Sequence, residues 1–119
     1  MADLDHLTLF VRDHQRAARW YVENLGFEVE FQAPDGATTA LRDSKDFTIF
    51  LTNRAVAGED EPRCVLYFKV PDVDDEYKRL LANGVLAAHG PRETPWGYGP
   101  ELRDPDGHGI RLWDARSLK

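Results

Sequence analysis

The stretch Thr94–Asp114, TPWGYGPELRDPDGHGIRLWD, decides how this chain is read. At its centre, Asp104-Pro105-Asp106-Gly107 predicts a tight turn. Pro presets φ for the first bend, and Gly relieves the steric cost of leaving it. Tyr98 to Arg103 before the turn and Gly109 to Trp113 after it read as strands, so the stretch is a hairpin. Ahead of the hairpin stands an aromatic, glycine-rich loop, Pro95-Trp96-Gly97-Tyr98-Gly99.

Working outward, the hairpin closes the second of two similar halves. Cys64 to Val70 alternates as a strand, a helix follows from about Asp74 to Asn83, and Gly84 is its stop. Val73, Tyr77, Leu80 and Leu81 form the inner stripe of that helix, and Val85 to Ala88 is a weak strand. The first half has the same order. Leu4 to Val11 is a strand, Asp13 caps a helix running to about Asn24, and Gly26 stops it. Phe27 to Gln32, Thr38 to Arg42 and Phe47 to Thr52 are three more strands. Each half is therefore β-α-β-β-β, an α+β pattern. The modules cover about residues 1–54 and 63–119 of one 119-residue domain. The polar run Ala55 to Pro62 is the nearest thing to a linker.

Composition narrows the function. A formal charge of −6 argues against nucleic acid as a partner, because phosphate binding needs a basic surface. No apolar run approaches the length of a membrane span, and the N-terminus lacks the features of a signal peptide. The single Cys64 cannot form an internal disulfide, which suits a cytoplasmic location. It is expected on the inward face of its strand as a packing residue.

Three places, together with the duplicated order, resemble the vicinal oxygen chelate superfamily. They are Leu4 to Asp13 (LDHLTLFVRD), Trp20-Tyr21 through Leu25-Gly26-Phe27, and Arg103-Asp104-Pro105-Asp106-Gly107 followed by a strand. That superfamily includes glyoxalase I, extradiol dioxygenases, fosfomycin-resistance enzymes and bleomycin-resistance binding proteins. The resemblance implies two modules forming a U-shaped cleft, with helices on the outer face. It also implies a homodimer whose partner chain completes the cleft. Strand parity then places Leu7, Leu9, Val11, Phe47, Ile49, Leu51, Cys64, Leu66, Phe68, Val70, Ile110 and Leu112 on the helix side. His6, Thr8, Phe10, Thr48, Phe50, Thr52, Val65, Tyr67, Lys69, Arg111 and Trp113 fall on the cleft side.

Enzymes of the superfamily hold a divalent metal through His, Glu or Gln on the first and last strands of each module. The matching positions here are His6, Phe50, Val65 and Arg111, of which His6 alone can ligate. His14, His89 and His108 are expected in loops or at element ends, away from the cleft. No metal and no other cofactor is expected. His6 is either a hydrogen-bonded residue of the cleft floor or a ligand contact. Arg111 either pairs with Glu101 or meets a carboxylate, phosphate or carbonyl on a ligand, with Lys69 beside it.

The aromatic residues point to a small-molecule site. Trp96 and Tyr98 on the loop, with Phe10, Phe50, Tyr67 and Trp113 in the cleft, suit a planar organic ligand held by stacking. The candidate ligand contacts are therefore His6, Phe10, Phe50, Tyr67, Lys69, Trp96, Tyr98, Arg111 and Trp113. The function expected is metal-free binding of a small molecule, with antibiotic sequestration as one form of it. The alternative is a glyoxalase-type lyase, isomerase or dioxygenase.

Overall fold

The computed structural model describes residues 5–54 and 64–118. The run Ala55 to Pro62, read above as a linker, lies outside them. In order, the elements are β1 (His6–Val11), α1 (His14–Leu25), β2 (Glu28–Gln32), β3 (Thr38–Arg42), β4 (Thr48–Asn53), β5 (Val65–Lys69), α2 (Val73–Ala82), β6 (Leu86–Thr94), β7 (Gly97–Arg103) and β8 (Gly109–Trp113). A 3-10 turn, Ala115–Leu118, follows. The chain divides into two compact units, residues 1–61 and 62–119. Each unit carries one four-stranded sheet, ordered β1-β4-β3-β2 in the first and β5-β8-β7-β6 in the second. Both sheets are mixed: β1 runs parallel to β4 and β5 parallel to β8, while the other pairs are antiparallel.

The two units use one device to start their helices. A helix N-terminus leaves backbone N–H groups without helical partners. Asp13 accepts from the amides of Gln15 (3.0 Å) and Arg16 (3.3 Å), and Asp72 accepts from that of Asp75 (3.0 Å). A second acceptor comes from the end of the sheet. Asn53, closing β4, accepts from the His14 amide at 2.7 Å, and Asp114, just past β8, accepts from the Val73 amide at 2.8 Å. Each helix is thus tied at its first residue to the strand lying parallel to its predecessor. The helix stop of α1 is Gly26, whose φ of 74° is costly for a residue with a Cβ.

Period-2 patterning sets the two faces of each sheet. Leu9, Val11, Leu41, Ile49 and Leu51 are buried under α1 in the first unit, with Ala17 and Tyr21 of the helix. Val73 and Leu80 of α2, with Leu102, Ile110 and Leu112, are buried in the second. Two expectations are corrected. Leu81 is 42% exposed, because α2 is short and turns only Val73 and Leu80 fully inward. Cys64 is exposed and precedes β5, so it does not pack in the core. Its backbone N–H instead donates to Nδ1 of the buried His108 at 3.1 Å, fixing the start of β5 against β8.

The hairpin is longer than the sequence pattern suggests. β6 extends to Thr94, so the glycine-rich loop shrinks to a turn at Pro95 and Trp96 and the rest belongs to β7. A register shift in β6 between His89 and Arg92 hides this strand from a period-2 reading. The shift leaves Gly90 and Pro91 opposite Pro100, where neither proline is asked to donate to the ladder. The turn at Asp104 to Gly107 forms as read. The Asp104 carboxylate accepts from the amides of Asp106 (2.9 Å) and His108 (2.8 Å), and Gly107 has φ 84°.

Candidate functional site

The face of the second sheet turned away from α2 carries a row of side chains fixed by strand register. Tyr67 on β5 stands beside Arg111 on β8, and Arg111 stands beside Glu101 on β7. Arg111 donates from Nε to Glu101 at 2.5 Å and from Nη1 to the Tyr67 hydroxyl. Its guanidinium carbon lies 5.3 Å from the Tyr67 ring centre and 5.2 Å from that of Trp96. Those two rings meet edge to face at 5.8 Å. Nη2 of Arg111 has no hydrogen-bond partner among the described residues, so its two N–H groups remain available.

Trp96 reaches the row because β7 has no side chain at Gly99. A Cβ there would meet the Leu112 carbonyl and would stand 2.9 Å from Cη2 of Trp96. The edge of the indole's six-membered ring therefore comes close over the glycine. His89 flanks it on β6, with ring centres 6.5 Å apart. His89 donates from Nδ1 to the Gly90 carbonyl at 2.8 Å, which leaves Nε2 as the acceptor nitrogen.

The buried Glu101 carboxylate is held by Arg111 and Arg103 together. Burial is the largest single influence on it and pushes its pKa up. The hydrogen bonds and charges of Arg111 and Arg103 jointly outweigh burial, so the pKa falls below the ordinary value. The Glu101 hydrogen bond in turn raises the pKa of Arg111, burial opposes this, and Tyr67 adds to it. Both shifts favour the ionised forms that the pair requires.

The structure sorts the nine candidate contacts into groups. Tyr67, Trp96 and Arg111 come together. Lys69 lies next along β5, with its ammonium 5.8 Å above the Trp113 ring. In the first unit, His6 meets Phe50 edge to face at 4.9 Å, and Phe31 meets Phe50 at 5.9 Å. His6 also bonds the exposed Asp5 carboxylate at 2.8 Å. Phe10 lies under the Arg54 guanidinium at 5.0 Å. Tyr98 is on the other face: its neighbours in parity are Pro100 and Leu102, and its hydroxyl donates to Asp74 of α2 at 2.8 Å. That bond is the main reason its pKa rises. Strand continuity through Gly97 and Gly99 turns Tyr98 toward the helix, which a loop reading could not foresee.

The residues do not fit a superfamily metal centre. At the four matching positions, Phe50 and Val65 offer no donor atom and Arg111 is a cation, leaving His6 alone. Among the described residues no group of three or more His, Cys, Asp or Glu side chains gathers as ligands would. His14 and His108 are buried and already bonded: His14 to Thr39 (2.6 Å) and the Gly36 carbonyl (2.9 Å), His108 to the Cys64 amide.

Duplicated β-α-β-β-β units with mixed sheets define a glyoxalase-type α+β fold. The chain belongs to the Glyoxalase/Bleomycin resistance protein/Dioxygenase superfamily, whose sequence profile matches residues 3–112. A glyoxylase/bleomycin resistance protein/dioxygenase domain from Frankia sp. EAN1pec superposes with a TM-score of 0.77 at 23% identity, covering 100% of this chain and 96% of that one. Lactoylglutathione lyase from Agrobacterium tumefaciens superposes with a TM-score of 0.75 at 20% identity, covering 98% and 96%. YraH of Bacillus subtilis (strain 168) is 26% identical over 120 residues, covering 90% of this chain and 94% of YraH.

Proposed function

We propose that this chain binds a small planar organic molecule on the open face of its second sheet, without a metal ion. The observation that carries this is the Tyr67–Arg111–Trp96 group. Two aromatic rings flank a guanidinium that Glu101 holds in place, and one end of that guanidinium is left with unused donors. Such rigid π surface beside a few fixed polar groups is what orients small ligands in general. Holding the ligand away from another target, as antibiotic sequestration requires, is one use of such binding.

The test is a calorimetric titration of the chelator-treated protein with naphthalene-sized aromatic compounds, on the wild type and on Trp96→Ala. Saturable binding in the presence of chelator, weakened in the variant, supports the reading. Binding that appears only after a divalent metal is restored would sink it.

A further inference from the structure

The charge on the open face of the second sheet is opposite to that of the chain. Register places Lys69, Arg92, Arg103 and Arg111 on this face, because Arg92 pairs with Gly99, and Arg103 and Glu101 alternate with it along β7. The one carboxylate among the described residues of these positions is Glu101. Four cations therefore stand against one buried anion, in a chain of net charge −6. Glu101 is spent on Arg103 and on Nε of Arg111, and no described residue takes Nη2 of Arg111, whose guanidinium carbon lies near both rings.

We infer that the ligand is a planar aromatic carboxylate, an inference that rests on the binding reading above. The two Nη2 hydrogens of Arg111 can meet a carboxylate oxygen in the plane of the guanidinium. The Tyr67 and Trp96 rings both stand within 5.3 Å of the guanidinium carbon, edge to face with each other, so an aryl group attached to the carboxylate has π surface beside it. Lys69 and Arg103 add long-range attraction, which screens with salt. A cationic ligand would meet repulsion from all four basic side chains. A neutral carbonyl ligand would keep the stacking and a hydrogen bond from Arg111 but lose the attraction between opposite charges.

Calorimetry with 1-naphthoate, 1-naphthamide and 1-naphthylmethylammonium separates these cases at constant ring size. Naphthoate should bind about 10-fold or more tighter than naphthamide, since it alone adds an ion pair to the hydrogen bond from Arg111. The ammonium should bind most weakly. Arg111→Met should weaken naphthoate by more than naphthamide, which loses a hydrogen bond but no ion pair, so that the gap between the two ligands closes. Should that variant fold poorly, the wild type still answers: raising salt from about 20 to 300 mM must weaken naphthoate and leave naphthamide nearly constant. Naphthamide or the ammonium binding as tightly as naphthoate would overturn the carboxylate assignment while leaving the binding site standing. Absence of binding by all three would overturn the site itself, and the assignment with it.

Discussion

Asp114→Asn probes the joint between sheet and helix in the second unit. The Asp114 side chain is only 3% exposed and accepts three bonds: from the Val73 amide at 2.8 Å, the Arg116 amide at 2.8 Å and the Arg116 guanidinium at 2.9 Å. Arg116 is the leading cause that takes its pKa from 3.8 to about 2. Burial opposes this, and the two amides reinforce it. A depressed carboxylate pKa gives stability that is complete above the unfolded value and is lost as pH falls through the folded value. The drop sets a ceiling of about 2.5 kcal/mol at pH 7. Arg116 is half-exposed and keeps contacts with Asp72 and Asp74, so screening and re-pairing lower the expected loss to about 1–2 kcal/mol. Asn retains one acceptor for the Val73 amide but no charge. Urea melts of wild type and variant should differ by that amount at pH 7, and by about half of it at pH 3, where part of the charge effect is already gone. A difference that stays constant from pH 7 to pH 3 would refute the charge argument and leave only shape.

Three further outcomes follow from contacts described above. Gly99→Ala places a methyl against the Leu112 carbonyl and the Trp96 ring, so it should cost about 1–3 kcal/mol in denaturant melts and also weaken aryl binding. Tyr98→Phe removes the hydroxyl bond to Asp74; it should lower the urea midpoint with ligand affinity unchanged, and a loss of affinity would return Tyr98 to the site. Trp96→Ala should lower aryl affinity by about 10-fold, from lost stacking and contact area, with little change in melting temperature.

The fold was largely legible because its determinants are local. Asp13 and Asp72 sit where N-caps must be, Gly26 and Gly84 where helices must stop, and the β-strands alternate with period 2. What was hidden depends on partners distant in sequence. The acceptor roles of Asn53 and Asp114 toward helix amides lie 39 and 41 residues away and have no sequence mark. β6 was under-read because its register shift at Gly90-Pro91 breaks the alternation, and with it the facing of His89 and Arg92 was lost. Of the site, the facing of Tyr67 and Arg111 followed from parity, and pairing with Glu101 was one of the two readings open for Arg111. Tyr98 was placed with Trp96 by reading the aromatic run as a loop, although parity along Tyr98 to Arg103, with Glu101 facing Arg111, already sets Tyr98 on the opposite face.

The central claim is that Trp96, Tyr67 and Arg111 hold a planar ligand without metal. Nuclear magnetic resonance of the tryptophan indole N–H signals tests it directly, with 1-naphthoate added to chelator-treated protein and the Trp96 signal assigned through Trp96→Phe. The Trp96 signal should shift on titration and saturate, while that of Trp20, on α1, stays still. A Trp96 signal that does not move, or moves only once a divalent ion is supplied, would contradict it.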